Sequence, residues 1–235
     1  MGRTKYDGLN PAGGVIFDGA GNLYGSTFGG GSNGNGTAFK LASSRQGPWT
    51  EEILHSFGAS GDYATPTSGL TLDKQGTLYG TLAAAVFQLA PSSSGWKENI
   101  LFSFRNNGGI QTYGDLALDA PGGVYGTWYQ GGIYGGGSVF RLTPSSNGWT
   151  ETEIYDFSGV NGDGAYPHAG VTFDGKGNLF GTTESGGIYT ACYRGFELLP
   201  GTGGTWHERV LYRFADGLDG GFPYAPILIG RDGNL

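Results

Sequence analysis

The chain has little charge and a single cysteine, and both shortages narrow what it can be. Only 14% of its 235 residues are charged, and Cys192 alone cannot form an internal disulfide or a cysteine-based metal cluster. No segment approaches the roughly 18 consecutive apolar residues of a membrane-spanning helix. The net charge of −7 argues against a nucleic-acid partner, because binding phosphates requires a basic surface.

Glycine and aromatic residues are abundant instead. The chain has 49 glycines without a Gly-X-Y period, which excludes collagen, and its 14% of aromatic residues argues against disorder. This composition is typical of short strands joined by tight turns. The first five residues lack the apolar stretch of a signal peptide, yet the wealth of Ser, Thr, Gly and Asn leads us to expect an extracellular or periplasmic bacterial protein.

A short pattern recurs along the whole chain and predicts repeated structural units. Gly-Asn-Leu-Tyr-Gly at 21–25 returns in altered form at 76–80, 122–126 and 177–181, and begins again at 233–235. Each unit also has an apolar triplet ending in Asp, a run containing Val-Phe or a close variant, and a segment from Trp to Phe. The units span approximately 7–57, 58–104, 105–157 and 158–214, with a partial fifth at 215–235.

Alternation of apolar and polar residues predicts that each unit holds four strands, called a to d in chain order. Four short antiparallel strands repeated radially are typical of a β-propeller. We therefore expect an all-β protein with 1–235 as one β-propeller domain: four full blades plus a partial fifth. Asp18, Asp73, Asp119 and Asp174 recur in every a–b turn, so they are interpreted as turn-forming residues.

The repeat, of the form G-L-x-x-D-x-x-G-N-L-Y-G-T-T…G-x-V-F-x-L-x-P…G-W-T-E-x-x-L-Y-x-F, resembles the Gloeo/Verruco-type repeats of environmental bacteria. It resembles NHL-type propeller blades more distantly. The resemblance covers nearly the whole chain and implies a propeller, but it implies no fixed activity.

The partial fifth unit leaves three interpretations of the ring open. The chain is a piece of a longer propeller, it closes with the extra strand at the seam, or two copies pair through the unfinished edge. A homodimer is therefore one expected partner arrangement.

The b–c and d–a connections are long and variable, and an antiparallel blade places them on one face, where binding residues are usually carried. The short b–c loop of the second unit beside longer ones predicts a notch. Aromatic rings stack on sugars and polar groups bond hydroxyls, so the expected ligand is a polysaccharide or glycoconjugate. The predicted ligand-binding residues are Trp128, Tyr129, Tyr134, Asp62, Tyr113, Tyr166 and Tyr193.

The same face supplies a second hypothesis, a polysaccharide hydrolase or lyase. Asp163 and Glu184 are a carboxylate pair of the kind that hydrolyses glycosides. His168 is a general-base candidate. Its expected equivalents in the other units are Ala12, Thr67, Gly114 and Tyr224. Tyr189 and Arg194 complete the set. A structural scaffold is the third hypothesis.

No cofactor is expected, and the three histidines are too few for a multi-histidine metal site. The oxygen-rich segments 161–164 and 216–220 are weak calcium candidates, since they lack the full spacing of a calcium-binding loop.

Overall fold

The computed structural model describes residues 7–44, 47–59, 63–104, 111–186, 193–215 and 220–235. Its contacts divide the chain into two compact units, a first unit Met1–Ser103 and a second unit Phe104–Leu235. In the described residues the one helical element is a short 3-10 turn, Thr202–Gly204, and no helix is long and apolar enough to cross a membrane.

The first unit holds the first two repeats as antiparallel sheets. The first sheet contains β1 (Gly8–Pro11), β2 (Ile16–Phe17), β3 (Leu23–Gly30), β4 (Thr37–Ala42) and β5 (Thr50–Ser56). The second contains β6 (Thr71–Leu72), β7 (Leu78–Leu82), β8 (Ala85–Ser92) and β9 (Gly95–Ser103). In both sheets the strands named a to d lie side by side in sequence order, as predicted.

The second unit repeats this arrangement. Its first blade contains β10 (Ala117–Leu118), β11 (Val124–Trp128), β12 (Ser138–Ser145) and β13 (Gly148–Asp156). A two-stranded sheet pairs β14 (Gly164–Ala165) with β17 (Ser185–Gly186), and the second blade contains β15 (Thr172–Phe173), β16 (Leu179–Thr183), β18 (Tyr193–Pro200) and β19 (Trp206–Phe214). Strand a is only two residues long in each full repeat, shorter than the apolar triplets predicted.

The tyrosine of the recurring motif is bonded to the turn aspartate. The Oδ1 atom of Asp18 accepts the backbone N–H groups of Ala20 and Asn22, each at 2.9 Å. The phenol of Tyr24 donates to Oδ2 at 3.1 Å. The equivalent Tyr–Asp bonds recur in the second and third repeats. The interpretation of these aspartates as turn-forming residues is therefore confirmed.

The glycine of the motif makes room for an aromatic ring. A Cβ atom on Gly126 would lie 2.5 Å from the ring of Phe140, and the same overlap recurs at the equivalent glycine of every full repeat. In each repeat the strand register shifts at this phenylalanine, which follows a β-bulge. The ring lies against the glycine of the adjacent strand, and it is buried in the second, third and fourth repeats.

The serine or threonine that follows the glycine of the motif connects one repeat to the following one. The hydroxyl of Thr127 donates to the carbonyl of Ala169 at 3.0 Å, and Ser26 and Thr182 bond equivalent carbonyls. The backbones meet closely at the same place, because a Cβ on Gly114 would lie 2.0 Å from the nitrogen of Gly170. The motif thus encodes the turn, the core and the contact between blades.

The partial fifth repeat begins the same path. The N–H of Gly230 donates to the carbonyl of Asn234 at 2.7 Å, as that of Asp18 does to Asn22 at 3.0 Å. The a–b turn is therefore formed, although 227–229 are not paired as a strand. The prediction of an all-β fold of four-stranded antiparallel blades is confirmed. The single-domain prediction and the three interpretations of ring closure stay predictions.

Candidate functional site

The d–a and b–c connections lie together within each unit. In the second unit β14, from a d–a connection, pairs with β17, from a b–c connection, through Gly164 opposite Gly186. In the first unit Pro66 bridges Leu82 in the same way. The predicted grouping of these loops on one side of a blade is therefore found in both units.

A repeated backbone hydrogen bond shows which loop positions are equivalent. The N–H of Ala83 donates to the carbonyl of Thr65 at 3.2 Å, that of Tyr129 to Gln111 at 2.9 Å, and that of Glu184 to Tyr166 at 3.0 Å. Counting two residues on from each acceptor, the equivalents of His168 are Thr67 and Tyr113. The sequence alignment that placed Gly114 at this position was wrong by one residue, because the third repeat has no proline at 112 to mark it.

The corrected register reveals a row of stacked rings. The imidazole of His168 stacks on Tyr113, with ring centroids 4.8 Å apart and planes 6° from parallel. The imidazole also meets Tyr224 edge to face, with ring centroids 4.6 Å apart. These three residues occupy the same position in three consecutive repeats.

A second pair of rings extends this row. Tyr129 lies 5.7 Å from both Tyr113 and His168, and 5.4 Å from Tyr166. We call Tyr113, Tyr129, Tyr166, His168 and Tyr224 the tyrosine–histidine cluster. Four of the five were predicted from sequence as site residues. Tyr224 was named in the sequence analysis only as the equivalent of His168, and that place in the repeat is the signal that identifies it.

Glu184 supplies the charge of the cluster. Burial raises the pKa of Tyr129 to about 12, and the hydrogen bond that its phenol makes to Glu184 adds to the effect. Burial lowers the pKa of His168, while the nearby Glu184 carboxylate acts in the opposite direction. The imidazole is therefore mainly neutral at neutral pH. The cluster combines a neutral imidazole, tyrosine hydroxyls and one carboxylate.

An open groove of about 400 Å³ borders the cluster and shares Tyr166 with it. Tyr134, 62% exposed, forms its rim. The remaining lining is small or glycine: Gly135, Gly136, Ser158, Gly159, Ala165, Ser185 and Gly186. A lining of this kind places no bulky side chain between the two tyrosine rings. Its volume lies within the usual range of small-molecule sites.

Tyr166 has a left-handed backbone conformation, which residues other than glycine rarely adopt. Its φ is +57°, and it precedes a proline, as do Asn10, Thr65 and Phe222 with φ between +51° and +70°. A left-handed residue before proline is thus part of the repeat. This φ places an aromatic ring at the groove in the fourth repeat, where the second repeat has only a threonine.

Asp163, one member of the predicted carboxylate pair, is hydrogen-bonded to other residues. Its Oδ2 accepts the backbone and side-chain groups of Ser158 at 2.6 and 2.7 Å, and Oδ1 accepts the phenol of Tyr155 at 3.2 Å. Arg194, only 1% exposed, acts electrostatically on Tyr155 and Glu208. Asp163 and Arg194 therefore belong to a mostly buried polar cluster next to β13 and β19.

Trp128 and Tyr193 lie in the interior. Trp128 is 1% exposed and packs against Phe104 and Phe140 at 5.2 and 5.7 Å, so the expectation that it meets a ligand is corrected. Its equivalents in the other full repeats, Thr27, Leu82 and Thr183, are buried too. The position of Trp128 in the repeat is therefore an interior one. Tyr193 is 4% exposed, with its ring against Phe222 at 4.4 Å.

Asp62 and Tyr189 fall outside the described residues, as do Cys192 and the calcium candidate segment 216–219. In the other candidate segment, Asp163 is occupied by the bonds from Ser158 and Tyr155. Within the ranges that the structure covers, no three His, Cys, Asp or Glu side chains form a group suited to a metal ion.

The blades define a protein of the β-propeller repeat class. Residues 83–235, more than half of the chain, match the model of the Gloeobacter/Verrucomicrobia repeat. The chain therefore belongs to that repeat family, as the sequence resemblance indicated. A search of curated proteins found no match.

Solved structures share the fold at low identity. The extracellular domain of a hybrid two component system from B. thetaiotaomicron is similar with a TM-score of 0.60 at 12% identity, covering 96% of this chain and 25% of that one. The nidogen/laminin complex gives 0.55 at 16% identity, covering 93% and 68%. Virginiamycin B lyase from Staphylococcus aureus gives 0.49 at 16% identity, covering 85% and 55%. This chain thus spans about half of the lyase and a quarter of the sensor chain, and these likenesses concern the fold alone.

Proposed function

We propose that the chain is a carbohydrate-binding β-propeller module that acts in the extracellular or periplasmic space. The observation that carries the proposal is the groove rimmed by Tyr134 and Tyr166, which continues into the tyrosine–histidine cluster. Flat rings pack against the apolar faces of sugars, while hydroxyl and backbone groups between them bond sugar hydroxyls. A ligand can reach this surface from solvent, because Tyr224 is 53% exposed and Tyr134 is 62% exposed.

The repeat supplies a variant that should remove the site and keep the fold. The second repeat has Thr65 and Thr67 where the fourth has Tyr166 and His168, on a backbone with the same left-handed φ and the same hydrogen bond. The double variant Tyr166→Thr/His168→Thr therefore copies a pair that this scaffold already accommodates.

We expect the wild-type protein to bind one or more members of a polysaccharide and oligosaccharide panel, measured by affinity electrophoresis and calorimetry. The double variant should bind at least about tenfold more weakly, the loss expected when central aromatic contacts are removed. The matched control is Phe28→Ala, since Phe28 is an exposed aromatic at the first-repeat equivalent of Tyr129. Equal binding by wild type and double variant, or none to any glycan, would contradict the proposal.

A glycan hydrolase or lyase is the second candidate, and one arrangement favours it. His168 and Glu184 interact electrostatically beside the phenol of Tyr129, and a neutral imidazole can accept a proton. Asp163 and Arg194, the other candidates, have partners of their own among the described residues. Release of reducing ends, or ultraviolet absorbance of an unsaturated product, that disappears in His168→Ala and Glu184→Gln would show an enzyme. Binding without turnover would support the carbohydrate-binding module instead of the enzyme.

A further inference from the structure

The described residues of the groove and the cluster carry one acidic side chain nearby. Glu184 is the carboxylate in contact with the tyrosine–histidine cluster, and the described side chains that line the groove or form the cluster include no lysine or arginine. Because burial disfavours the charged form of His168, Glu184 is the charged side chain among the described residues of the groove and the cluster.

Two arginines near the groove interact with nearby acids. Arg194 is almost fully buried, and the guanidinium of Arg213 approaches the loop at Gly162. Both act on the carboxylate of Glu208, which also feels Asp163. The pKa of Glu208 is raised to about 7, so this carboxyl is only partly ionised at neutral pH. These groups interact with one another next to β13 and β19, and none of them is part of the described lining of the groove.

Given the proposed glycan binding, on which this step rests, we infer that the site prefers sugars with a free amino group over neutral sugars, and disfavours uronic acids. An ammonium group can pair with Glu184 and lie against electron-rich tyrosine rings. A uronate carboxylate would lose water beside Glu184 without a described cation to receive it, which is unfavourable. The ligand class is thus a hexosamine-containing glycan.

A glycan array tests this order of preference. It should contain neutral, amino and uronic-acid glycans of the same linkage and length, for example β-1,4-linked glucose, glucosamine and glucuronic acid tetramers among several such series. Mildly acidic buffer keeps the amines protonated. We expect the amino member of a bound series to bind about tenfold tighter than the uronic member, a difference that shrinks as salt is added.

Glu184→Gln separates the charge from the rest of the site. In this variant the ratio of amino to neutral affinity should fall about tenfold, as expected for a partly desolvated charge pair. Glu52→Gln is the matched control, because it removes one exposed carboxylate from the first unit and should leave the ratio unchanged.

The outcomes distinguish this inference from the proposed function. Binding of neutral glycans with no amino preference, or with a preference for uronic acids, overturns the inference and leaves glycan binding standing. An amino preference that survives in Glu184→Gln also overturns it, because the charge would then come from elsewhere. Failure to bind any glycan of the three classes overturns both.

Discussion

The second and fourth repeats have the same backbone and different surfaces. Both bend through a left-handed residue before proline, with φ of +70° at Thr65 and +57° at Tyr166, and both close the loop with the same hydrogen bond. The second repeat then presents Thr67, while the fourth presents His168 within a row of rings.

The comparison teaches that the recurring residues and the candidate site residues are separate sets. The repeat determines the turn, the bulge and the contact between blades wherever it occurs. The site arises where a repeat places a large or ionisable side chain at a position that other repeats fill with a small one. Changes to the first set should affect both units alike, and changes to the second set should affect one.

The largest expected effect tests the shared scaffold. A Cβ on Gly114 would lie 2.0 Å from the nitrogen of Gly170, and a Cβ on the equivalent Gly13 would lie 2.2 Å from that of Gly69. Backbone atoms cannot move aside without shifting a blade, so each glycine-to-alanine change should cost about 3 kcal/mol or more. Thermal denaturation should show the midpoint falling by roughly 6–12 °C for each.

Gly14 is the matched control for both variants. It adjoins Gly13, its φ is not in the left-handed region, and a Cβ there meets nothing within 4 Å. Gly14→Ala should change the midpoint little. If Gly13→Ala were tolerated while Gly114→Ala was not, the two units would not share this contact, and the equivalence of the repeats would fail.

The fold was largely readable from the sequence because its determinants are local and repeated. Asp18 and Tyr24 are six residues apart, and the glycine that admits Phe140 lies in the adjacent strand. The candidate site was harder to predict, because it depends on register. The absence of proline at 112 hid the equivalence of Tyr113 and His168. Trp128 was predicted to bind a ligand, although the residue at its position is buried in every full repeat.

The proposed pairing of Asp163 with Glu184 stays a prediction, and the contacts of Asp163 show what the sequence could not reveal about it. Sequence places both residues in the same loops of one repeat, and that placement is correct. The sequence does not reveal that Ser158 and Tyr155 donate hydrogen bonds to the carboxylate of Asp163. Tyr155 lies on strand β13 and Asp163 lies in the loop that follows it. Loop proximity predicts neighbourhood, whereas the direction of a side chain depends on its hydrogen-bond partners.

The second and fourth repeats should also differ in the pH dependence of a glutamate on strand d. Glu98 and Glu208 hold the same register position, opposite Leu89 and Leu198. Burial, followed by repulsion from Asp163, raises the pKa of Glu208 to about 7. A carboxyl whose folded pKa is raised above its unfolded value of 4.5 contributes fully below that value, and the contribution is lost as pH rises through 7.

We therefore expect the stability of the wild type to fall between pH 4.5 and about 7 relative to Glu208→Gln, which cannot ionise. In the first unit the imidazole of His55, on β5 of the first repeat, lies 3.3 Å from the carboxylate of Glu98 on β9 of the second. Glu98→Gln removes the acid of this pair, so we do not expect it to reproduce the pH dependence of Glu208→Gln. Chemical denaturation across this pH range would measure both. The same pH dependence in both variants would show that the two repeats do not differ here.

The smallest expected effect concerns the one full repeat that lacks the tyrosine of the motif. Phe180 occupies the position of Tyr24, and Asp174 has the same turn bonds as Asp18. Oδ2 of Asp18 accepts both the amide of Asn22 at 2.7 Å and the phenol of Tyr24 at 3.1 Å. The corresponding oxygen of Asp174 accepts the amide of Asn178 at 2.8 Å, so Phe180→Tyr would supply the second donor in a geometry that the first repeat already shows.

Phe180→Tyr should therefore stabilise the protein by about 0.5–1.5 kcal/mol, the usual net value of one hydrogen bond, and Tyr24→Phe should cost a similar amount. Calorimetric midpoints would measure both changes. The gain should vanish when Asp174 is changed to alanine, because the phenol then has no carboxylate to meet. A phenol that destabilised the fourth repeat even with Asp174 present would mean that its turn differs from the others in more than one side chain.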